Sequence, residues 1–292
     1  KSQVQKHVER GLDLGPVSPE RFALFLYSSN YYRVSGYARC FYERDADRYV
    51  SGTTAMMMEI YDLDRAVRNS VLDGIGVLEP TLRGRVAYNF AKLVGGGDAY
   101  LDRSLYLPVG SEPDPGDVGA HDRWQKEFAN RETVLKSFKD IQKRHEIFIQ
   151  HYVTQEEPVP FWAAIEAVSI GTFSRFLRAL RDKSVLAPVT KSLKLEDESK
   201  LLQAIQNITF MRNIAAHHGR LWNRRFEGHV TLPAVALRVK RKYLSTTTPA
   251  AALTLLAGLV DQIEKSNSYS DSLLNLIHSN PSLVDGYYQP IL

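Results

Sequence analysis

Phe210-Met211-Arg212-Asn213-Ile214-Ala215-Ala216-His217-His218-Gly219-Arg220-Leu221-Trp222-Asn223-Arg224 decides how this 292-residue chain is read. These fifteen residues hold three arginines, two adjacent histidines, two asparagines and a tryptophan. An apolar helical run, Leu201, Leu202, Ile205 and Ile208, leads directly into them. Each helical residue turns about 100°, so the same spacing next reaches Arg212. Arg212 is therefore expected on the core-facing stripe. A guanidinium there is costly unless a carboxylate pairs with it or a polar cleft receives it. Two arrangements stay open, and they are compatible. One is a buried ion pair with an acid such as Glu166 or Glu79. The other is a guanidinium held ready for a phosphate.

His217 and His218 fall at the helix end, ahead of Gly219, the expected stop. Imidazole titrates near neutrality and suits general acid or base work on a ribose hydroxyl and a leaving oxygen. Adjacent helical positions point about 100° apart, so the two histidines are poorly placed to share one ion. No His-x-x-x-His or carboxylate set stands beside them, and neither a metal nor a cofactor is expected.

Downstream, residues 220–243 are basic, with Arg220, Arg224, Arg225, Arg238, Lys240, Arg241 and Lys242 against Glu227. Trp222, Phe226 and Tyr243 are interleaved, the pattern of a nucleic-acid surface. Thr248-Pro249 then caps a helix to about Lys265, and a last helix runs from Ser270 to His278.

Upstream, the pattern is helical almost throughout. A short helix from Ser2 to Arg10 is stopped by Gly11. Ser18-Pro19-Glu20 starts a second, with Phe22, Phe25 and Leu26 inward. Asn30 to Tyr37 is aromatic and basic, and reads either as core aromatics or as rings for base stacking. Arg39 to Ser51 leaves room for one short β-hairpin. A long helical region from Thr53 or Thr54 to Val94 carries Met57, Ile60, Leu63, Asp64, Val67 and Val71 on one stripe. Gly76 and Pro80 predict a break near 76–80, after which Glu79 and Arg83 are spaced to pair.

Residues 95–120, rich in glycine and proline, read as a linker or an excursion within one domain. Residues 121–153 predict one amphipathic helix, with Trp124, Phe128, Leu135, Phe138 and Ile141 on its face. Phe161 to Asp182 predicts another, with Trp162, Ile165, Phe173 and Phe176 inward. A short helix near 184–193 and one from about Glu196 complete the approach to the opening stretch. The division expected is an N-terminal helical region over 1–95 and a C-terminal one over 121–292, joined by a 96–120 loop or merged into one domain.

The bulk composition agrees with a folded, soluble chain. Hydrophobic residues make 44% and charged residues 24%, ordinary values for a soluble globular protein. The single cysteine, Cys40, leaves no internal disulfide and suits a reducing cytosol. The longest apolar stretch, about 250–260, is too short to span a bilayer. A cytoplasmic location is expected.

Arg212 to Arg224 closely resembles the signature of the Abi-like proteins, the AbiD/AbiF group of bacterial abortive-infection proteins. Further blocks share the resemblance: Tyr31-Tyr32-Arg33-Val34-Ser35-Gly36-Tyr37, Asp62-Leu63-Asp64-Arg65, Glu79-Pro80-Thr81-Leu82-Arg83 and Pro160-Phe161-Trp162. Glu166 and Ser169-Ile170-Gly171-Thr172-Phe173-Ser174 extend it. That family is placed in the HEPN superfamily, marked by an arginine, four to six residues and a histidine; both His217 and His218 fit. The resemblance implies an all-α HEPN-like bundle with additional N-terminal helices. It also implies a metal-independent endoribonuclease whose two Arg–His motifs meet across a homodimer. Arg212, Asn213, His217 and His218 are the residues carried over. The other reading left open is an RNA-binding defence or toxin module, regulated by a bound non-coding RNA and without catalysis at this motif.

Overall fold

Apolar residues at three- and four-residue spacing dominate this chain, and helices follow. The structure, a computed structural model, describes residues 3–226, 228–230, 232 and 244–291. Four helices occupy the first third: α1 (Gln3–Glu9), α2 (Pro19–Ser29), α3 (Tyr31–Ala38) and α4 (Thr54–Leu93). A middle set follows: α5 (Val118–Asp140), α6 (Ile147–Thr154), α7 (Phe161–Ala167), α8 (Ile170–Ala179) and α9 (Ala187–Ser192). The chain then forms α10 (Glu198–Ala216), α11 (Pro249–Glu264), α12 (Ser268–Ile277) and α13 (Asp285–Tyr288). The expected hairpin is a minimal ribbon, β1 (Tyr42–Glu43) antiparallel to β2 (Arg48–Tyr49). The fold is all-α with that one hairpin. Among the described residues, no helix is long and apolar enough to cross a membrane.

Two compact units result, and their borders fall inside α4 and α10. One takes residues 1–75 and 210–292; the other takes 76–209. The 96–120 loop lies wholly within the second unit. It is pinned there by buried Tyr100 and Tyr106, by the Tyr100 hydroxyl donating to the Val159 carbonyl at 3.0 Å, and by the Leu107 N–H donating to Ala179 at 2.8 Å.

In the first unit, local signals set the helix ends. Ser18 Oγ accepts from the Arg21 N–H at 3.2 Å, with Pro19 opening α2. Asn30, at φ +64°, turns the chain and caps α3 by accepting from the Tyr32 N–H at 3.0 Å. Thr248 caps α11 in the same way at 3.2 Å, and most of α11 is buried. The Ser2 cap expected for α1 lies outside the described residues.

In the second unit the core is aromatic. Phe90 packs on Phe161 with ring centroids 4.2 Å apart, Phe161 on Phe176 at 5.1 Å, and Tyr100 on Phe138 at 4.9 Å.

Three expectations about boundaries are corrected. First, α4 runs unbroken through Pro80. A proline inside a helix costs about 3 kcal/mol. Leu78, Leu82 and Val86 are nearly fully buried around it, and each contributes roughly 1.5–3 kcal/mol, so burial outweighs the local penalty. Second, the 121–153 helix is α5 and α6, separated by a 3-10 turn over Ile141–Lys143 and by extended Arg144. Third, the 161–182 helix is α7 and α8. Val168 is extended and Ser169 caps α8, accepting from the Thr172 N–H at 3.1 Å. Buried Arg83 supports that break by donating to the carbonyls of Ile165 and of Val168, the latter at 3.0 Å. Its Nε also donates to Glu79 Oε1 at 3.0 Å, the pair expected from the spacing. Trp162 does not point inward: it is 49% exposed, and Glu166 beside it is exposed as well.

Candidate functional site

The site is built on the C-terminal end of α10. Leu201, Ala204, Ile205, Ile208, Met211 and Ala215 form its buried stripe. After Ile208 the stripe continues through Met211 and Ala215 rather than through Arg212. Arg212 therefore sits at the margin, half-buried, which corrects the expectation of an inward guanidinium. Among the described residues its one hydrogen bond is a long one, Nη1 to Asn213 Oδ1 at 3.4 Å. Of the two acids expected to support it, Glu79 bonds Arg83 and Glu166 is solvent-exposed.

Asn213, His217 and His218 are all exposed. Asn213 and His217 are four apart, hence neighbours on one face of the helix. The His217 N–H closes the last α-type bond to the Asn213 carbonyl at 3.0 Å. Arg212, Asn213 and His217 thus form one small polar group at the helix end.

His218 plays a different part. The His218 N–H bonds the Ala215 carbonyl at 3.0 Å and the Gly219 N–H bonds the Ile214 carbonyl at 2.7 Å. That is a Schellman stop with His218 as the left-handed residue, φ +55°. The stop falls one residue earlier than Gly219. Glycine suits 219 for a different reason: a Cβ there would stand 3.1 Å from Ile214 Cγ2 and 3.2 Å from the Ile214 carbonyl oxygen, a tight fit.

A non-glycine side chain in the left-handed region is under strain that glycine avoids. His218→Gly is expected to stabilise the fold by about 0.5–1 kcal/mol, a rise of roughly 1–4 °C in thermal midpoint, while removing one imidazole. Thermal unfolding checks the stability. The activity left in the same variant tells which histidine acts.

The second half of the motif turns inward, where one buried carboxylate holds it. Asp64, fully buried on α4, accepts at Oδ1 from the Trp222 N–H at 2.8 Å and the Tyr287 hydroxyl at 3.2 Å. At Oδ2 it accepts from the Tyr37 hydroxyl and Arg68 Nη1, both at 2.6 Å, and from the Leu221 N–H at 3.1 Å. Burial and the Asp64 charge push the Tyr37 and Tyr287 hydroxyls well above the usual phenol range, so both stay protonated as donors.

Around this centre, the residues after Gly219 are structural. Arg220 Nη1 donates to the Gly36 carbonyl at 2.7 Å. Buried Trp222 donates through Nε1 to the Leu283 carbonyl at 2.8 Å. It lies so close to Gly286 that a Cβ there would be 2.1 Å from Nε1. Buried Asn223, at φ +53°, accepts from the Ile291 N–H at 2.6 Å and donates to Cys40 Sγ at 2.6 Å.

Of the residues expected to touch RNA, Arg220 and Trp222 hold the loop through these bonds. Arg224 is half-exposed, with its guanidinium 5.5 Å from the Phe210 ring centroid. Arg225 is exposed, and its Nε reaches the Pro290 carbonyl at 3.4 Å. Arg238, Lys240, Arg241 and Lys242 lie outside the described residues. Among the described residues, no three His, Cys, Asp or Glu side chains are gathered as a metal site requires.

Asp64 is the residue that sequence reasoning did not single out as functional. Its signal was present: an acid on the apolar stripe of α4, with Arg68 one turn on.

A family model described as Abi-like protein matches residues 24–223. No curated protein and no solved structure matches the chain.

Proposed function

Since the chain belongs to the Abi-like protein family, whose role is abortive infection in phage defence, we propose that it acts as an endoribonuclease through Arg212 and His217. The observation that carries this reading is the grouping of half-buried Arg212 with exposed Asn213 and His217 at the end of α10. A half-buried guanidinium with one weak hydrogen bond keeps most of its donors for a phosphate. The exposed imidazole of His217, one turn on from the Asn213 that bonds Arg212, is available for proton transfer.

In this mechanism the imidazole of His217 takes the proton of a ribose 2′-hydroxyl or gives one to the leaving 5′-oxygen. Arg212 stabilises the charge that builds on the phosphorane-like transition state. Asn213 orients Arg212 through its side-chain oxygen. The products are a 2′,3′-cyclic phosphate and a 5′-hydroxyl, and no divalent ion takes part. A single copy offers one such group, and a two-fold pair would bring two of them to one phosphodiester, in keeping with a homodimer of the HEPN kind. Exposed Arg225 and half-exposed Arg224 lie a few residues downstream of the group and add phosphate contacts, so affinity for RNA should fall as salt rises.

The test is cleavage of RNA by the purified protein in excess chelator, with the product ends identified. Cleavage leaving cyclic phosphate supports the reading; cutting that appears only when divalent metal is supplied overturns it. Tight RNA binding without any cutting would favour the alternative of an RNA-regulated defence module.

A further inference from the structure

In the second unit, α4 and α7 border an open groove of about 720 Å³. Its lining is Gly84, Ala87, Tyr88, Ala91 and Lys92 from α4, with Trp162 and Glu166 from α7. The α4 residues follow a three- and four-residue spacing and so form one helical face. Small residues dominate that face, and buried Ala87 makes a floor. Two aromatic side chains stand up from it into solvent, Tyr88 at 68% and Trp162 at 49% exposure.

This is unusual for the unit, whose other rings mostly pack against one another. Among the described residues, neither Tyr88 nor Trp162 has a ring contact or hydrogen bond. Gly96 passes Trp162 with no side chain between them: a Cβ at Gly96 would be 3.9 Å from Trp162 Cζ3. Each ring is followed four residues later by a charge on the same face, Tyr88 by Lys92 and Trp162 by Glu166. The two charges have opposite sign. Neither is engaged in an ion pair or hydrogen bond among the described residues.

We propose that this groove binds a guanine base, carried by a free nucleotide or by an unpaired position in RNA. A planar base stacks on Tyr88 and Trp162, and every base has the π-face this requires. Glu166 selects among the bases. An ionised carboxylate accepts two hydrogen bonds side by side and donates none. Guanine alone among the common bases offers two adjacent donors, its ring N–H and its amino group, on one edge. Lys92 supplies the point charge for the attached phosphate. An apolar peptide would leave both charges unanswered, which is why the base is the occupant that fits. Binding in this groove does not depend on cleavage at Arg212.

Binding is measured on the 292-residue chain carrying Arg212→Ala, so that cutting does not interfere. The probes are guanosine monophosphate, adenosine monophosphate and a short single-stranded RNA with one guanine, followed by tryptophan fluorescence and calorimetry. The guanine nucleotide should bind at least tenfold more tightly than the adenine nucleotide. Trp162→Ala should weaken both by roughly 5- to 100-fold, and Trp162→Phe should restore most of the loss. Glu166→Gln should erase the preference while leaving the adenine nucleotide unchanged. RNA binding that is tighter than the mononucleotide and loses that advantage in Trp162→Ala assigns the base to a strand, and equal binding assigns it to a free nucleotide. No binding of any probe at millimolar concentration, binding that survives Trp162→Ala, or a preference that survives Glu166→Gln would overturn the proposal. The substitutions at Trp162 and Glu166 fall at exposed positions, so folding is expected to persist.

Discussion

Asp64→Asn is expected to destabilise the protein by about 3–5 kcal/mol, the cost of breaking a buried charge pair from one side. The carboxylate accepts five hydrogen bonds, from Tyr37, Arg68, Leu221, Trp222 and Tyr287. Asparagine keeps one acceptor oxygen and replaces the other with an NH2 that faces donors. Arg68 would then be a buried guanidinium without its counter-charge, since its side chain is only 4% exposed. Whole-protein stabilities are typically 5–15 kcal/mol, so the loss would be a large share.

The damage would also be directed. Leu221 and Trp222 follow the histidines within a few residues, and their N–H groups are what tie this part of the chain to α4. Denaturant unfolding measures the effect. Asp62→Asn is the internal control, because Asp62 makes an exposed pair with Arg65. Such surface pairs contribute about 0–1 kcal/mol. A loss at Asp64 no larger than that at Asp62 would refute the central role given to this carboxylate.

Arg212→Ala is expected to lower RNA cleavage by about 10²–10³-fold, the usual effect of removing one donor to a developing oxyanion. Stability should hardly move. The side chain is half-buried, and its hydrogen bond to Asn213 is 3.4 Å long. Changes at such positions usually stay within about 0.5 kcal/mol. Arg212→Lys should recover little, because an ammonium keeps the charge but not the planar fork. The measurement is kcat/KM on RNA beside a thermal unfolding curve, with phage protection as the cellular readout. Cleavage within about threefold of the parent would remove Arg212 from the mechanism, and a parallel collapse in stability would mark it as structural.

The two experiments divide one motif into its parts. Arg212, Asn213 and His217 should affect chemistry and spare the fold. Asp64 and Trp222 should do the reverse, losing activity only through lost structure. His218 falls between them, because its backbone makes the helix stop while its imidazole stays in solvent.

Much of this was legible in the order of the residues. Three- and four-residue spacing identified most of the helices, though not α3 or α13, and local residue types marked the Ser18-Pro19 and Thr248-Pro249 starts, the hairpin between Arg39 and Ser51, and the Glu79–Arg83 pair. All of these are decided within a few residues of chain. The cluster from Arg212 to His218 was also visible as a chemical group, because helical geometry alone makes Asn213 and His217 neighbours.

Tertiary structure decided what depends on distant partners. Pro80 signals a break locally, yet buried Leu78, Leu82 and Val86 keep α4 continuous. Trp222 resembles a stacking residue in sequence, but the Leu283 carbonyl and Gly286 enclose it. Trp162 reads as core and stands in solvent. The partners of Asp64 include N–H groups 157 and 158 residues downstream, beyond the reach of any local pattern. Periodicity reports how a segment divides between core and water. Where a charge or ring on that dividing line finally points depends on which other segment packs there, and only the folded chain determines that.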